Sequence, residues 1–253
     1  LQHPSTLNKD EPFVLLDTSE KRTYVAQSGL LGPGLPTHNT AFTAADSNYQ
    51  LQENKSELEV VLLAETDSAR ISKTYRFHRG SYLIDVEYKI ENNGNAPLNS
   101  SAYFQLVRDD EPPEGGSIFV PTYTGPAIYT EQEKFQKTSF SEIEEGKTKH
   151  AQHADNGWVG MLQHYFVSAW LPAGKTQREY FTRHLGTNLY SAGVILPLPV
   201  VAASQSAVLT VPLYIGPAQA GLDSIAPGLG LTVDYGWLTI IATPIFWLLS
   251  FFH

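Results

Sequence analysis

The sequence predicts a mainly β fold, antiparallel strands stacked as two sheets, and three observations lead there. Apolar residues recur at every second position through much of the chain, turn-forming clusters interrupt those runs, and helix signals are scarce and late. The clearest run spans 81–91, where Tyr82, Ile84, Val86, Tyr88 and Ile90 alternate with Leu83, Asp85, Glu87, Lys89 and Glu91. That pattern turns one face of a strand to a core and the other to water. With 253 residues, 42% hydrophobic and 17% charged, the chain can bury a sizeable core and is neither disordered, collagenous nor a coiled coil.

Taken in order, the first strands are expected at 13–16 and 23–27, followed by a Gly- and Pro-rich loop over 28–40. Leu58, Val60, Leu62 and Ala64 alternate next, and Thr66-Asp67-Ser68 supplies a turn before Tyr75 and Phe77. Arg79-Gly80 and Asn92-Asn93-Gly94-Asn95 flank the 81–91 strand, and Ala102, Phe104 and Leu106 continue what reads as a meander over 57–108. An acidic loop with Pro112-Pro113 covers 108–116, and a charged loop covers 141–157. Further strands are expected at 117–120, 127–130, 158–170, 178–184, 188–196 and through Ala207, Leu209, Val211 and Leu213. So many strands exceed one flat sheet, so two must stack. A short helix is expected from Gly216-Pro217 through Ala218, Leu222 and Ile225 to Pro227, and a second from the N-cap Asp234 to about Phe252.

Seventeen basic against 26 acidic residues give a formal charge of −9, so the body repels phosphate backbones and nucleic acid is not an expected partner. The absence of cysteine excludes thiol nucleophiles, disulfides, zinc fingers and iron–sulfur ligation. The chain starts Leu-Gln-His-Pro, and any targeting or anchoring segment is expected outside these residues.

Residues 235–252 carry no charge and include Tyr235, Trp237, Leu238, Ile241, Ile245, Phe246, Trp247, Leu249, Phe251 and Phe252. Gly236, Thr239, Thr243 and Pro244 interrupt the run, which falls short of the about 20 apolar residues of a membrane span. Aromatics at both ends suit a helix lying at a membrane interface. The competing reading is a helix docked on a sheet.

Leu231-Thr232-Val233-Asp234-Tyr235-Gly236-Trp237-Leu238, followed by Pro244, is one of four recognisable strings. The others are Gly157-Trp158-Val159 with Met161-Leu162-Gln163, Tyr165-Phe166 and Ala169-Trp170-Leu171-Pro172; Tyr24 with Ala26-Gln27-Ser28-Gly29-Leu30; and Glu133-Lys134-Phe135 with Phe140. Through them essentially the whole chain resembles the large periplasmic domain of the YidC membrane insertases of Gram-negative bacteria. The resemblance implies a β-supersandwich of the galactose mutarotase type over 1–230, its first strands missing, and an amphipathic interfacial helix over 231–253 that leads to a transmembrane helix beyond these residues. It places the domain on the periplasmic face of the inner membrane, in a protein that inserts and folds inner-membrane proteins, with SecDF and the Sec translocon as partners. It implies a noncatalytic interaction platform without metal or cofactor.

Against that stands a carbohydrate-binding or mutarotase-like reading, which needs a carboxylate base and histidine acids converging on a sugar. The candidates are His78, His164, Glu179 and His184, and no spacing ties them together. His150 and His153 beside Asp155 superficially suit a metal, and Asp109, Asp110, Glu111 and Glu114 suit calcium, but both sets read better as solvated loops. Trp158, Tyr165, Phe166 and Trp170 could form a binding stripe, although strand alternation sends about half of such residues inward. For a SecDF contact, Tyr129, Glu133, Lys134, Phe135 and Lys137 mix aromatic and charged side chains as an interface does.

Overall fold

The computed structural model describes residues 14–19, 22–112, 123–163 and 165–233. Among these, two antiparallel sheets face each other. The six-stranded sheet is ordered β1 (Asp17–Ser19), β2 (Arg22–Leu31), β7 (Ser101–Arg108), β14 (Leu189–Pro197), β13 (Arg178–Gly186), β10 (His153–Ala154). The nine-stranded sheet is ordered β3 (Thr43–Ala44), β4 (Glu57–Glu65), β5 (Ala69–His78), β6 (Leu83–Asn92), β15 (Ser206–Pro217), β12 (Phe166–Trp170), β11 (Trp158–Gln163), β8 (Thr124–Thr130), β9 (Lys134–Lys137). The edge strands β1, β3, β9 and β10 are short, which limits the unpaired backbone each sheet offers.

The core between the sheets follows the period-two pattern. Val86, Tyr88 and Ile90 of β6 point inward with Ile71 of β5, and meet Phe104 and Leu106 of β7. The Phe104 ring lies 5.0 Å from Trp170 and 6.1 Å from Tyr88, so one aromatic cluster ties both sheets together.

Several local expectations are corrected. Residues 57–108 are not one meander: β4, β5 and β6 stay in the nine-stranded sheet, while β7 lies in the other. The side chain of Asn92 donates to the carbonyls of Ala96 and Val201, and Leu98 bridges Val201, which carries the chain across instead of folding it back. Residues read as the start of a loop at 28–31 continue β2, and 158–170 is a hairpin of β11 and β12. The helix expected over 216–227 does not form. Gly216 and Pro217 end β15, paired with Val167 and Phe166, and only 3-10 turns follow at Leu222–Ser224 and Leu229–Thr232. Gly221 and Gly228, at φ 89° and 75°, break any continuous helix there. Within the loop read at 141–157 lies most of a helix, α1 (Phe140–Glu144), with a capping box: Ser139 Oγ accepts from Glu142 N, and Glu142 accepts from Ser139 N. Residues 14–16 precede β1 rather than forming a strand; the strand at 117–120 and the helix from Asp234 lie outside the described residues.

Ionisable groups also face inward, among them a lysine amine. Lys73 of β5 is 7% exposed, its Nζ 3.3 Å from the Ser28 carbonyl oxygen and 5.2 and 5.4 Å from the Tyr75 and Tyr88 ring centres. Burial pushes its amine down from 10.5 to about 8. Between these values the unfolded chain binds a proton that the folded chain does not, so stability should rise with pH over that window. Lys73→Met should flatten the rise and stabilise the fold at pH 7 by up to about 3 kcal/mol. Urea unfolding of both proteins at intervals from pH 7 to 10 checks this; equal slopes would refute it.

Candidate functional site

On β8, β11, β12 and β15 the outer face of the nine-stranded sheet is as apolar as the inner one. Trp158 and Leu162 of β11 point outward while Val159 and Met161 point inward, and β12 alternates likewise with Val167 and Ala169 against Phe166 and Trp170. Strands buried on both faces lose the polar half of their alternation, and β11 reads Trp-Val-Gly-Met-Leu-Gln, buried throughout. What covers the outer face is the run 218–233. Leu222 and Leu229 are buried in a second apolar cluster with Trp158, Leu162, Val167, Ala169 and Tyr214, flanked by Ala218 and Ala226.

Specific contacts hold this run in place. Trp158 Nε1 donates to the Pro227 carbonyl at 3.0 Å, and Ala218 N donates to the Tyr165 carbonyl at 2.7 Å. The Tyr129 ring stacks on Trp158 at 6.0 Å and 13°, and Phe135 tilts against it at 5.9 Å. Gly228 lies against the Tyr129 ring, where a Cβ would fall 2.3 Å from ring carbon Cε2. Gly230 N donates to Asp223 Oδ1 at 3.1 Å, and Thr232 Oγ1 to the Leu229 carbonyl at 2.6 Å.

Beside this run opens a cleft of about 420 Å³, walled by Trp158, Tyr129, Leu171–Lys175 and Ile225–Pro227, with Glu131 also on its lining. Arg178, 2% exposed, holds the loops that form its walls. Its guanidinium donates to the carbonyls of Thr176 (3.0 Å), Gly157 (3.2 Å), Pro172 (2.9 Å), Asp155 (3.1 Å) and Gly174 (2.7 Å). Tyr180 OH donates to the Asn156 carbonyl at 2.9 Å. Gly157 takes φ 99°, and a Cβ there would lie 1.9 Å from the Tyr129 carbonyl oxygen. The cleft is shaped for apolar contact.

The stripe of Trp158, Tyr165, Phe166 and Trp170 divides: Trp158 joins the outer cluster, Phe166 and Trp170 the inter-sheet core, and Tyr165 stands exposed at the hairpin tip. Among the candidate partner contacts, Tyr129 and Phe135 lean into the outer cluster, and Lys137 Nζ lies 4.8 Å over the Tyr123 ring. Glu133 and Lys134 are exposed at the β8–β9 turn, where Lys134 has φ 60°. Asp234 and 235–252 lie outside the described residues, as do His164 and Glu114.

The described sugar-site candidates do not converge. His78 sits on the outer face of the nine-stranded sheet between Glu57 at 3.1 Å and Asp85 at 2.8 Å. Glu179 and His184 fall on opposite faces of β13, where the His184 ring stacks on Tyr190 at 5.0 Å. The His150 ring nitrogens lie 2.9 Å from the Ala151 carbonyl and from Thr182 Oγ1. Asp109 accepts from the backbone N–H groups of Thr23 and Glu111, and Asp110 N donates to Asn188 Oδ1. Among the described residues no group of three or more His, Asp or Glu is placed to hold a metal, and no helix is long and apolar enough to cross a membrane.

Sequence reasoning missed Arg178, Leu222 and Leu229. Their only signal was indirect: the uninterrupted apolar runs of β11 and β12 demand a cover on the outer face, and the Leu residues after β15 are the next apolar residues in the chain.

Known proteins match this chain over its whole length. The membrane protein insertase YidC of Nitrosospira multiformis is 52% identical over 255 aligned residues, covering 100% of this chain and 45% of that protein. The same insertase of Nitrosomonas europaea is 49% identical, covering 100% and 42%. The chain thus spans less than half the length of these relatives. Among solved structures, a galactose mutarotase-like protein from Lactobacillus casei superimposes with a TM-score of 0.49 at 10% identity, over 82% of this chain and 91% of that one. The sequence model for the YidC periplasmic domain matches residues 1–248. With that match and near-half identity end to end, the chain belongs to the YidC periplasmic domain family.

Proposed function

We propose that this chain is a noncatalytic periplasmic platform of an inner-membrane insertase, which holds the polypeptide leading toward the membrane in a fixed position. The observation that carries the reading is the clamp on 218–233: Trp158, Tyr129 and Leu229 fasten this run to the sheet immediately before the apolar stretch 235–252. In this reading 1–230 is the sandwich, Asp234 caps the next helix, and Tyr235, Trp237, Leu238, Ile241, Ile245, Phe246, Trp247, Leu249, Phe251 and Phe252 enter the membrane interface. Burial of each large apolar side chain contributes roughly 1.5–3 kcal/mol, enough for a few of them to offset the repulsion of a body of charge −9 from an anionic surface. Membrane-protein clients are handled elsewhere in the full-length insertase, and SecDF docks on the β8–β9 hairpin through Glu133 and Lys134 with Lys137 beside them.

Liposome co-flotation with and without 234–253 tests the anchor. Binding should require the segment and persist at high salt, and flotation that is indifferent to its removal would overturn the reading. Charge reversal at Glu133, Lys134 and Lys137 in the full-length insertase should reduce copurification of SecDF; unchanged recovery would remove the hairpin as its contact. For the noncatalytic assignment, aldose titrations should be flat. Saturable mutarotation lost in Glu179→Gln or His184→Asn would establish an enzyme instead.

A further inference from the structure

At one end of the sandwich two hairpins from opposite sheets come together, β1–β2 and β11–β12. Arg22 opens β2, Arg108 closes β7 and Gln163 closes β11, and the three side chains meet between the sheets. Arg22 Nη2 and Arg108 Nη1 each donate to Gln163 Oε1 at 2.7 Å, although Arg108 is 0% and Gln163 1% exposed. One neutral amide oxygen therefore receives two cations, an arrangement whose charge is not cancelled by the contact itself.

Asp109 and Asp110 act on Arg108 through their charge, but neither carboxylate is hydrogen-bonded to it. Asp109 accepts from the backbone of Thr23 and Glu111, and the remaining contacts of Arg108 go to the Asp109 and Glu111 carbonyls at 3.1 and 2.7 Å. Below lies the Tyr24 ring, 5.5 Å from the Arg108 guanidinium. Two donors of the same cluster, Arg22 Nε and Gln163 Nε2, are buried without a hydrogen-bond partner. Buried donors are nearly always satisfied, so two such donors beside two guanidiniums are placed to receive an acceptor.

We propose that this cluster is an oxyanion site, in which an oxygen of a phosphate or carboxylate group accepts from the unpartnered Arg22 Nε and Gln163 Nε2, with Arg108 as the fixed charge beneath. Arg22, only partly buried, is the side chain an incoming anion meets first. The site is separate from the clamp and does not depend on the platform reading.

Inorganic phosphate, compared with chloride at matched ionic strength, is the probe. Phosphate at saturation should raise the Tm of the chain by about 5 °C. Arg22→Gln should abolish the increment. Gln163→Glu, which supplies a carboxylate from the chain itself, should raise the Tm in chloride and leave phosphate without effect. Equal phosphate increments in all three proteins, or none in the parent chain, overturn the site. Vesicles of phosphatidylglycerol against phosphatidylcholine then identify the source. Flotation that requires Arg22 extends the ligand to a lipid headgroup; where only the thermal shift requires Arg22, the ligand is a free oxyanion, and the site stands in either case.

Discussion

Arg178→Met is expected to cost about 3–5 kcal/mol of folding stability, because it removes one buried cation that donates to six backbone carbonyls, the longest contact being to Ala173 at 3.5 Å. Those carbonyls belong to 155–157 and 172–176, which no strand pairing spans, although Thr176 N also donates to the Asp155 carbonyl at 2.9 Å. A methionine fills similar volume but offers no donor, so the loss reads the hydrogen bonds more than the packing. Arg178→Lys should recover only part of it, since an ammonium has three donors and no planar fork. Urea unfolding measures the loss, and hydrogen exchange at 155–157 and 172–176 locates it. A change below about 1 kcal/mol would mean that the loops hold themselves.

Trp158→Ala should have an effect of similar size, about 3–5 kcal/mol, for a different reason. Trp158 is 2% exposed and is the hub of the outer cluster: it stacks on Tyr129, meets Phe135 and donates to Pro227. Its removal leaves a cavity beneath 218–233, so protection from hydrogen exchange should fall first in that run, while the inter-sheet core around Phe104 and Trp170 keeps its own. Trp158→Phe keeps most of the apolar area and loses the indole donor, for an expected cost nearer 1 kcal/mol. Uniform loss of protection in the Ala variant would show that the two cores melt as one unit and that the clamp has no separate stability. In the full-length insertase, the same variant tests whether a fixed 218–233 run is needed for activity.

Much of the fold was legible because period-two alternation is a local property. Val86, Tyr88 and Ile90 had to share a face whatever they packed against, and they do. The Ser139 to Glu142 capping box was equally local, and its helix was overlooked only because five residues carry too little periodicity to stand out within a charged stretch. The expected helix after Gly216 failed for the opposite reason. Its spacing of Leu222 and Ile225 suited a helix, but pairing of Gly216 and Pro217 with β12 extended the strand, and two left-handed glycines divided the rest into 3-10 turns.

The candidate site was half legible. Trp158 drew notice as an aromatic in a strand, and Tyr129 and Phe135 as candidate partner contacts, yet nothing local could tell that all three pack on the chain's own 218–233 run, distant from them in sequence. Likewise Arg178 looks like any strand-opening arginine until the loops at 155–157 and 172–176 close around it.

By itself, then, the sequence determined the strand pattern, the stacking of two sheets, the negative charge, the absence of thiol chemistry and the apolar run at 235–252, since each depends on composition or on neighbours a few residues apart. Tertiary structure decided that β7 crosses to the other sheet, that the outer face of β11 and β12 is covered by 218–233, and that Arg22, Arg108 and Gln163 meet at one end. These are contacts between segments distant in sequence, and their free energy comes from desolvating both partners together, which neither segment's own pattern specifies.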